Sequence, residues 1–156
     1  MKNFLRLLLS ISVCLLIGFL GSLVTTPSVS TWFSTLTKPS FSPPNWLFAP
    51  VWTMLFILMG ISLYLVWNKG LKKKAVKEAL VIFGIQLVFN FLWSFIFFGL
   101  HQPLLAFLEI IILWFLILQT ILKFRKISSA ADYLLLPYIA WVTFASFLNL
   151  TIARLN

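Results

Sequence analysis

Charge is what this sequence has least of. Only 10% of its 156 residues are Asp, Glu, Lys or Arg, and just three of them, Glu78, Glu109 and Asp132, are acidic. With 62% hydrophobic residues and a mean hydropathy of +1.06, the chain lacks the polar surface of a soluble fold and falls in the membrane class. Cysteine and histidine are nearly absent. Cys14 alone permits no disulfide and no thiolate cluster within one chain, and the lone His101 stands at a membrane edge, so no metal site is expected. There is no cofactor fingerprint and no nucleophile–base pair, so no cofactor is expected and the residues alone give no enzymatic chemistry.

Long apolar runs are what the chain has instead. A spanning helix takes about 20 apolar residues, and five such runs are expected as helices, at about 4–25, 46–67, 79–100, 104–122 and 131–154. The first run exceeds a signal-peptide core and ends in no small-residue cleavage site, so a retained helix is expected. The resulting fold class is an all-α integral membrane protein, a five-transmembrane-helix bundle forming one membrane domain over 1–156.

A net charge of +9 could suggest nucleic acid, but its distribution excludes that reading. Lys2, Arg6, Lys69, Lys72, Lys73, Lys74, Lys77, Lys123, Arg125 and Lys126 all fall on the side of the N-terminus, and only Lys38 and Arg154 on the other. This positive-inside bias places the N-terminus in the cytoplasm and the C-terminus outside. Lys72-Lys73-Lys74 also suits the headgroups of anionic membrane lipid.

Between the first two spans lies Trp32–Trp52, with four of the seven prolines and three of the seven tryptophans. Within the structured loop 26–45, Ser42 before Pro43-Pro44 marks a helix start, and Pro50 then removes one intrahelical bond. The segment is either a connector with interfacial tryptophans or a lid over a binding site. Lys38 either holds it by pairing with an acid or is an ordinary interfacial cation.

Three helices carry polar or small residues on one face. In the first, Ser10, Cys14, Gly18, Gly21, Ser22 and Thr25 form a small-residue stripe suited to close helix packing, and one candidate for a dimer face. In the third, Gln86, Asn90, Trp93 and Phe97 recur at helical spacing, so Asn90 either bonds another helix or contacts a ligand. In the fifth, entered through a capping-box-like Ser129-Ala130-Ala131-Asp132, the residues Tyr138, Trp141, Ala145 and Leu148 or Asn149 share a face. Glu109 in the fourth is either proton-linked or neutral and hydrogen-bonded to a neighbour.

Taken together these residues resemble the translocator protein family, TspO/MBR, once called peripheral benzodiazepine receptors. Its pattern around W-[YF]-x-x-L-x-K-P is met by Trp32, Phe33, Leu36, Lys38, Pro39, Pro43, Pro44, Pro50 and Trp52. Gln86, Leu87, Asn90, Trp93 and Ser94 fit a second motif, and Pro137, Tyr138, Trp141, Phe144, Ala145, Leu148 and Asn149 a third. Gly18-Phe19-Leu20-Gly21-Ser22 fits the first helix.

The resemblance implies a five-helix bundle, commonly a homodimer, with a ligand cavity under the first inter-helix loop. By motif position that cavity would involve Ser22, Ala49, Trp52, Asn90, Trp93, Trp141, Ala145 and Leu148. The implied ligands are porphyrins and isoquinoline-carboxamide or benzodiazepine-type drugs, held for sensing, transport or disposal. Two alternatives are light-dependent porphyrin degradation, with Trp52 and Trp141 as redox partners, and secondary transport of small hydrophobic metabolites. Animal members also bind cholesterol, but Leu150 stands where they carry the motif tyrosine.

Overall fold

Apolar runs must satisfy their own backbone in lipid, and helices do so within one segment. The computed structural model describes residues 2–156; Met1, the first residue of the expected domain, lies outside them. Its elements are α1 (Lys2–Ser30), α2 (Trp32–Thr35), α3 (Asn45–Trp67), α4 (Lys74–Ser94), α5 (Pro103–Arg125), α6 (Ser129–Tyr133) and α7 (Leu136–Leu155). Five segments, built on α1, α3, α4, α5 and α6–α7, are long and apolar enough to cross a membrane.

The helix ends differ from the hydropathy limits. Hydropathy marks where lipid stops, whereas the hydrogen-bond ladder continues wherever side chains allow it. Thus α4 begins at Lys74 rather than residue 79, because lysine is a good helix former at the water interface. In the same way α5 runs on to Arg125, with Lys123 and Arg125 beside its C-terminal carbonyls.

At the other end of the bundle α1 runs through Pro27 to Ser30, five residues beyond expectation. Hydroxyls then take up terminal carbonyls: Thr31 Oγ1 donates to Pro27 O (2.8 Å), Ser34 Oγ to Thr31 O (2.6 Å), and Thr35 Oγ1 to Trp32 O (2.7 Å). The loop expected over 26–45 is therefore half helical. Leu36–Pro44 is its non-helical part, with a turn closed by Ser42 N–H on Pro39 O (3.0 Å) and with Pro44 as N-cap of α3, so the double proline precedes the helix and does not occupy its first turn.

Two other local expectations fail. Ser128, not Ser129, is the N-cap of α6, and it makes no side-chain cap bond, so the capping box does not form. Asp132 Oδ1 is instead buried without a partner among the described residues. Lys38 meets no acid: its Nζ donates to Leu36 O (3.1 Å) and lies 4.8 Å from the Phe33 ring centroid. The nearest carboxylates in sequence lie on other helices, and only Glu78 forms ion pairs, with Lys74 (3.9 Å) and Lys123 (3.3 Å), among the described residues.

The helices form a ring in which α1 packs on α3 and α4, α5 packs on α4 and α7, and α6 closes onto α3. Ser62 Oγ fastens that last junction by donating to Ala131 O (2.7 Å). The stripe on α1 is spent inside this ring. Ser10, Cys14 and Gly21 are buried, and Gly18 and Gly21 lie against Phe56 and Ser94, so this part of the stripe packs within the chain, while Ser22 remains exposed. Arg6, donating to Asn68 Oδ1 (3.0 Å) and 5.7 Å from the Trp67 ring centroid, ties the first turns of α1 to the end of α3.

A candidate ligand cavity beneath the first loop

Backbones of α3 and α7 scarcely meet along the half of the bundle nearest the loop. Aromatic rings fill the seam instead, with Phe48 edge-on to Trp141 (5.9 Å, 72°) and Trp52 edge-on to Tyr138 (6.3 Å, 69°). Large side chains prop the helices apart, and the space left inside the ring is a cavity of about 500 Å³. That is the size of a small-molecule site.

Ser22, Ala49, Trp52, Asn90, Trp93, Trp141, Ala145 and Leu148, the residues expected from the motifs, all line this one cavity. They come from α1, α3, α4 and α7, separated by up to 126 positions in the chain (148 − 22). Gln86 and Tyr138 lie on the same helical faces but below the floor, where both are almost fully buried. Glu109 is also buried, lies outside the lining, and has neither carboxyl oxygen hydrogen-bonded among the described residues. The expected bond from Glu109 to a neighbour is therefore not formed.

The floor is a short polar relay. Asn90 Nδ2 donates to Tyr138 Oη (2.9 Å), and Tyr138 Oη donates to Gln86 Oε1 (2.8 Å). Asn90 thus bonds another helix, as one of its two alternatives had it, and it also lines the cavity. One of the two Nδ2 hydrogens is engaged, so Asn90 keeps a second N–H donor and the Oδ1 acceptor. Buried polar groups satisfied in this way fix ring orientations in a region where most contacts are non-directional.

The indoles are braced in different ways. Trp93 Nε1 donates to Asn149 Oδ1 (3.0 Å), and Asn149 Nδ2 donates to Pro103 O (2.7 Å), which pins α4 to α7 and to the start of α5. Trp52 rests tilted on Phe56 (5.6 Å) and faces Trp93 across 6.5 Å at 30°. The three indoles therefore present broad apolar surfaces to a common space.

Of the phenylalanines in the lining, sequence reasoning singled out Phe97, on the face of Asn90 and Trp93, and missed Phe48, Phe56 and Phe98. Phe48 and Phe56 lie on α3 at the spacing of Asn45, Phe48, Ala49, Trp52, Thr53 and Phe56, one helical stripe. On α4 the last turn widens into a π-helical segment, Phe95–Gly99, in which Leu100 N–H donates to Phe95 O (2.9 Å). Phe97 and Phe98, both within that widened turn, line the same cavity wall.

The loop is the roof. Phe33 is buried, its ring 6.1 Å from Phe97 and 5.6 Å from Phe98. Trp32 stacks on His101 (4.3 Å, 17°), and His101 nitrogen Nε2 lies 3.3 Å from Ser28 Oγ. His101 is thus a packing residue of the roof, held at a positive φ of 56°.

Comparison with known proteins agrees with this geometry. The description "TspO/MBR family" matches residues 10–155. The chain is 48% identical to "Tryptophan-rich protein TspO" of Chlorobaculum tepidum, across 99% of this chain and 98% of that protein. It is 36% identical to "Translocator protein" of Homo sapiens, across 88% and 82% of the two chains. It is 33% identical to "Tryptophan-rich sensory protein" of Cereibacter sphaeroides, across 80% and 77%. With five membrane-spanning segments around a cavity lined by the motif residues, and matches that run nearly end to end, this chain belongs to the TspO/MBR family.

Proposed function

We propose that this protein is a membrane-embedded binder of flat hydrophobic ligands, tetrapyrroles first, acting in their sensing, transport or disposal. The observation that carries the reading is the cavity of about 500 Å³ walled by Trp52, Trp93 and Trp141 and floored by Asn90. Indole faces suit a planar macrocycle, and one amide supplies direction in an otherwise apolar space. Isoquinoline-carboxamide and benzodiazepine-type drugs are flat, largely apolar ligands of the same kind. Names such as "sensory protein" and "translocator protein" among the relatives accord with a binding role.

In the same reading the Arg6, Lys69–Lys77 and Lys123–Lys126 end faces the cytoplasm and anionic lipid, the loop and residue 156 lie outside, and the working form is a homodimer. Titrating the purified protein with protoporphyrin should quench its tryptophan fluorescence saturably, and an isoquinoline-carboxamide should reverse the quench. Quenching no greater than that of free tryptophan would refute the proposal. Because Glu109 lies outside the lining, Glu109→Gln is expected to bind protoporphyrin within about twofold of wild type, the scatter ordinary for a distant site. A larger change would favour the coupled-transport reading.

A second reading, light-dependent oxidative breakdown of bound porphyrin, draws support from the placing of two oxidisable indoles, Trp52 and Trp141, on the cavity wall. Replacing both by Phe distinguishes the two. A binder keeps most of its affinity, whereas an enzyme stops forming product under illumination.

A further inference from the structure

The cavity is closed on most sides and open on one. Its walls at Phe33, Phe97, Ala145, Leu148 and Ile152 are buried. On α1, by contrast, the lining residues Phe19, Ser22 and Thr26 are exposed, as are Asn45, Ala49 and Thr53 on α3. Each trio recurs every three or four residues, so each is a single stripe along its helix.

Packing explains why the two helices part there. Toward the basic end, Gly60 lets α3 touch the α1 backbone, since a Cβ at Gly60 would stand 2.5 Å from Ile11 Cα. Higher up, Phe56 wedges against Gly18, 2.6 Å from where a Cβ would be. Beyond that wedge α3 carries Thr53, Ala49 and Asn45 on this side, and among the described residues no aromatic pair joins α1 to α3.

The opening spans about 10 Å along α1 at 1.5 Å per residue, and ends one turn before Ser30. Its outer flanks are exposed Leu16, Leu20 and Leu23 on α1 and Met54 and Ile57 on α3, side chains that belong against hydrocarbon. Of the four polar side chains on the rim, two, Ser22 and Thr53, bond within their own helices, leaving Thr26 and Asn45. Ser22 Oγ donates to Phe19 O (2.7 Å), and Thr53 Oγ1 donates to Ala49 O (2.8 Å), so both hydroxyls are satisfied within their own helices.

The route through the roof is fastened. Thr37 N–H donates to Asn156 Oδ1 (2.9 Å), while Asn156 Nδ2 donates to Thr37 O (3.0 Å) and to Ile152 O (2.9 Å). Lifting the loop would break this two-way amide clamp and the Trp32–His101 stack together.

We propose that ligands move between cavity and bilayer sideways, through the opening between α1 and α3, and not through the roof. This rests on the binding function proposed above, and it sets the ligand class by solubility: flat molecules already dissolved in the hydrocarbon layer. The test is stopped-flow tryptophan quenching in nanodiscs by protoporphyrin supplied in the lipid. Thr26→Phe/Thr53→Phe puts rings in the opening. Association and dissociation rates should both fall by about tenfold, a barrier rise of about 1.4 kcal/mol, with their ratio changing less than either.

Asn156→Ala, which releases the clamp, should leave both rates within about twofold of wild type, and Leu16→Phe/Ile57→Phe, which puts the same rings on the lipid-facing flanks outside the lining, should do the same. Unchanged rates with rings in the opening, or faster exchange in Asn156→Ala, would overturn the lateral route, as would equally slow exchange with the rings on the outer flanks. Wild-type protein that binds protoporphyrin at equilibrium but shows those rates loses only the route. Wild-type protein that binds none loses the function as well.

Discussion

Gly60→Ala is expected to loosen the bundle more than any other single methyl addition at its glycines. The added Cβ would lie 2.5 Å from Ile11 Cα and 2.9 Å from Ile11 N, and backbone atoms cannot rotate away as a side chain can. The helices must separate, and overpacking of this kind costs on the order of 1–3 kcal/mol. In lipid that loss is not offset by a hydrophobic drive between helices, because helix association there rests on close packing.

Two readouts follow. The thermal midpoint in detergent should fall, and Cys14, fully buried in the wild type next to this contact, should become reactive toward maleimide. Gly84→Ala is the control. Nothing lies within 4 Å of a Cβ at Gly84, so the same change there should raise the midpoint slightly through helix propensity. Equal behaviour of the two variants would mean that α1 and α3 are not held together by backbone contact.

Trp141→Ala is expected to weaken protoporphyrin binding by about tenfold to a hundredfold, the loss of one large aromatic wall at 1.4 kcal/mol per decade. Trp141 faces Phe48 at 5.9 Å and Phe144 at 5.5 Å, so truncation removes both ligand contact and the prop between α3 and α7. Trp141→Phe should recover most of the affinity. If alanine binds as well as wild type while circular dichroism shows an intact fold, the indole is not part of the ligand site.

The contrast between what the sequence showed and what it hid has a physical basis. Five helices were legible because lipid demands uninterrupted apolar length. The lining residues were legible through the resemblance, since Ser22, Ala49 and Trp52 stand at its motif positions, and only Asn90 and Trp93, and Trp141, Ala145 and Leu148, also share helix faces by their spacing. Phe48, Phe56 and Phe98 were not, because in a helix apolar all round a lining ring has no polar opposite face to reveal it.

Tertiary partners were also invisible. Nothing in the order of residues says that Lys38 turns to the Phe33 ring, that Asn149 braces Trp93, or that Glu109 is left without a donor. The small-residue stripe of α1 was correctly read as a packing surface, but its partner, α3 and α4 of the same chain, required the structure.

The most direct measurement of the central claim is the indole N–H spectrum of ¹⁵N-tryptophan-labelled protein, recorded with and without saturating protoporphyrin. A bound macrocycle imposes a large ring-current shift on nuclei it touches. The account predicts that Trp52, Trp93 and Trp141 move, while Trp46, Trp67 and Trp114, which lie outside the cavity, stay in place. Shifts confined to Trp46 and Trp67, or spread evenly over all seven indoles, would contradict it and put the porphyrin on the surface or in the surrounding lipid.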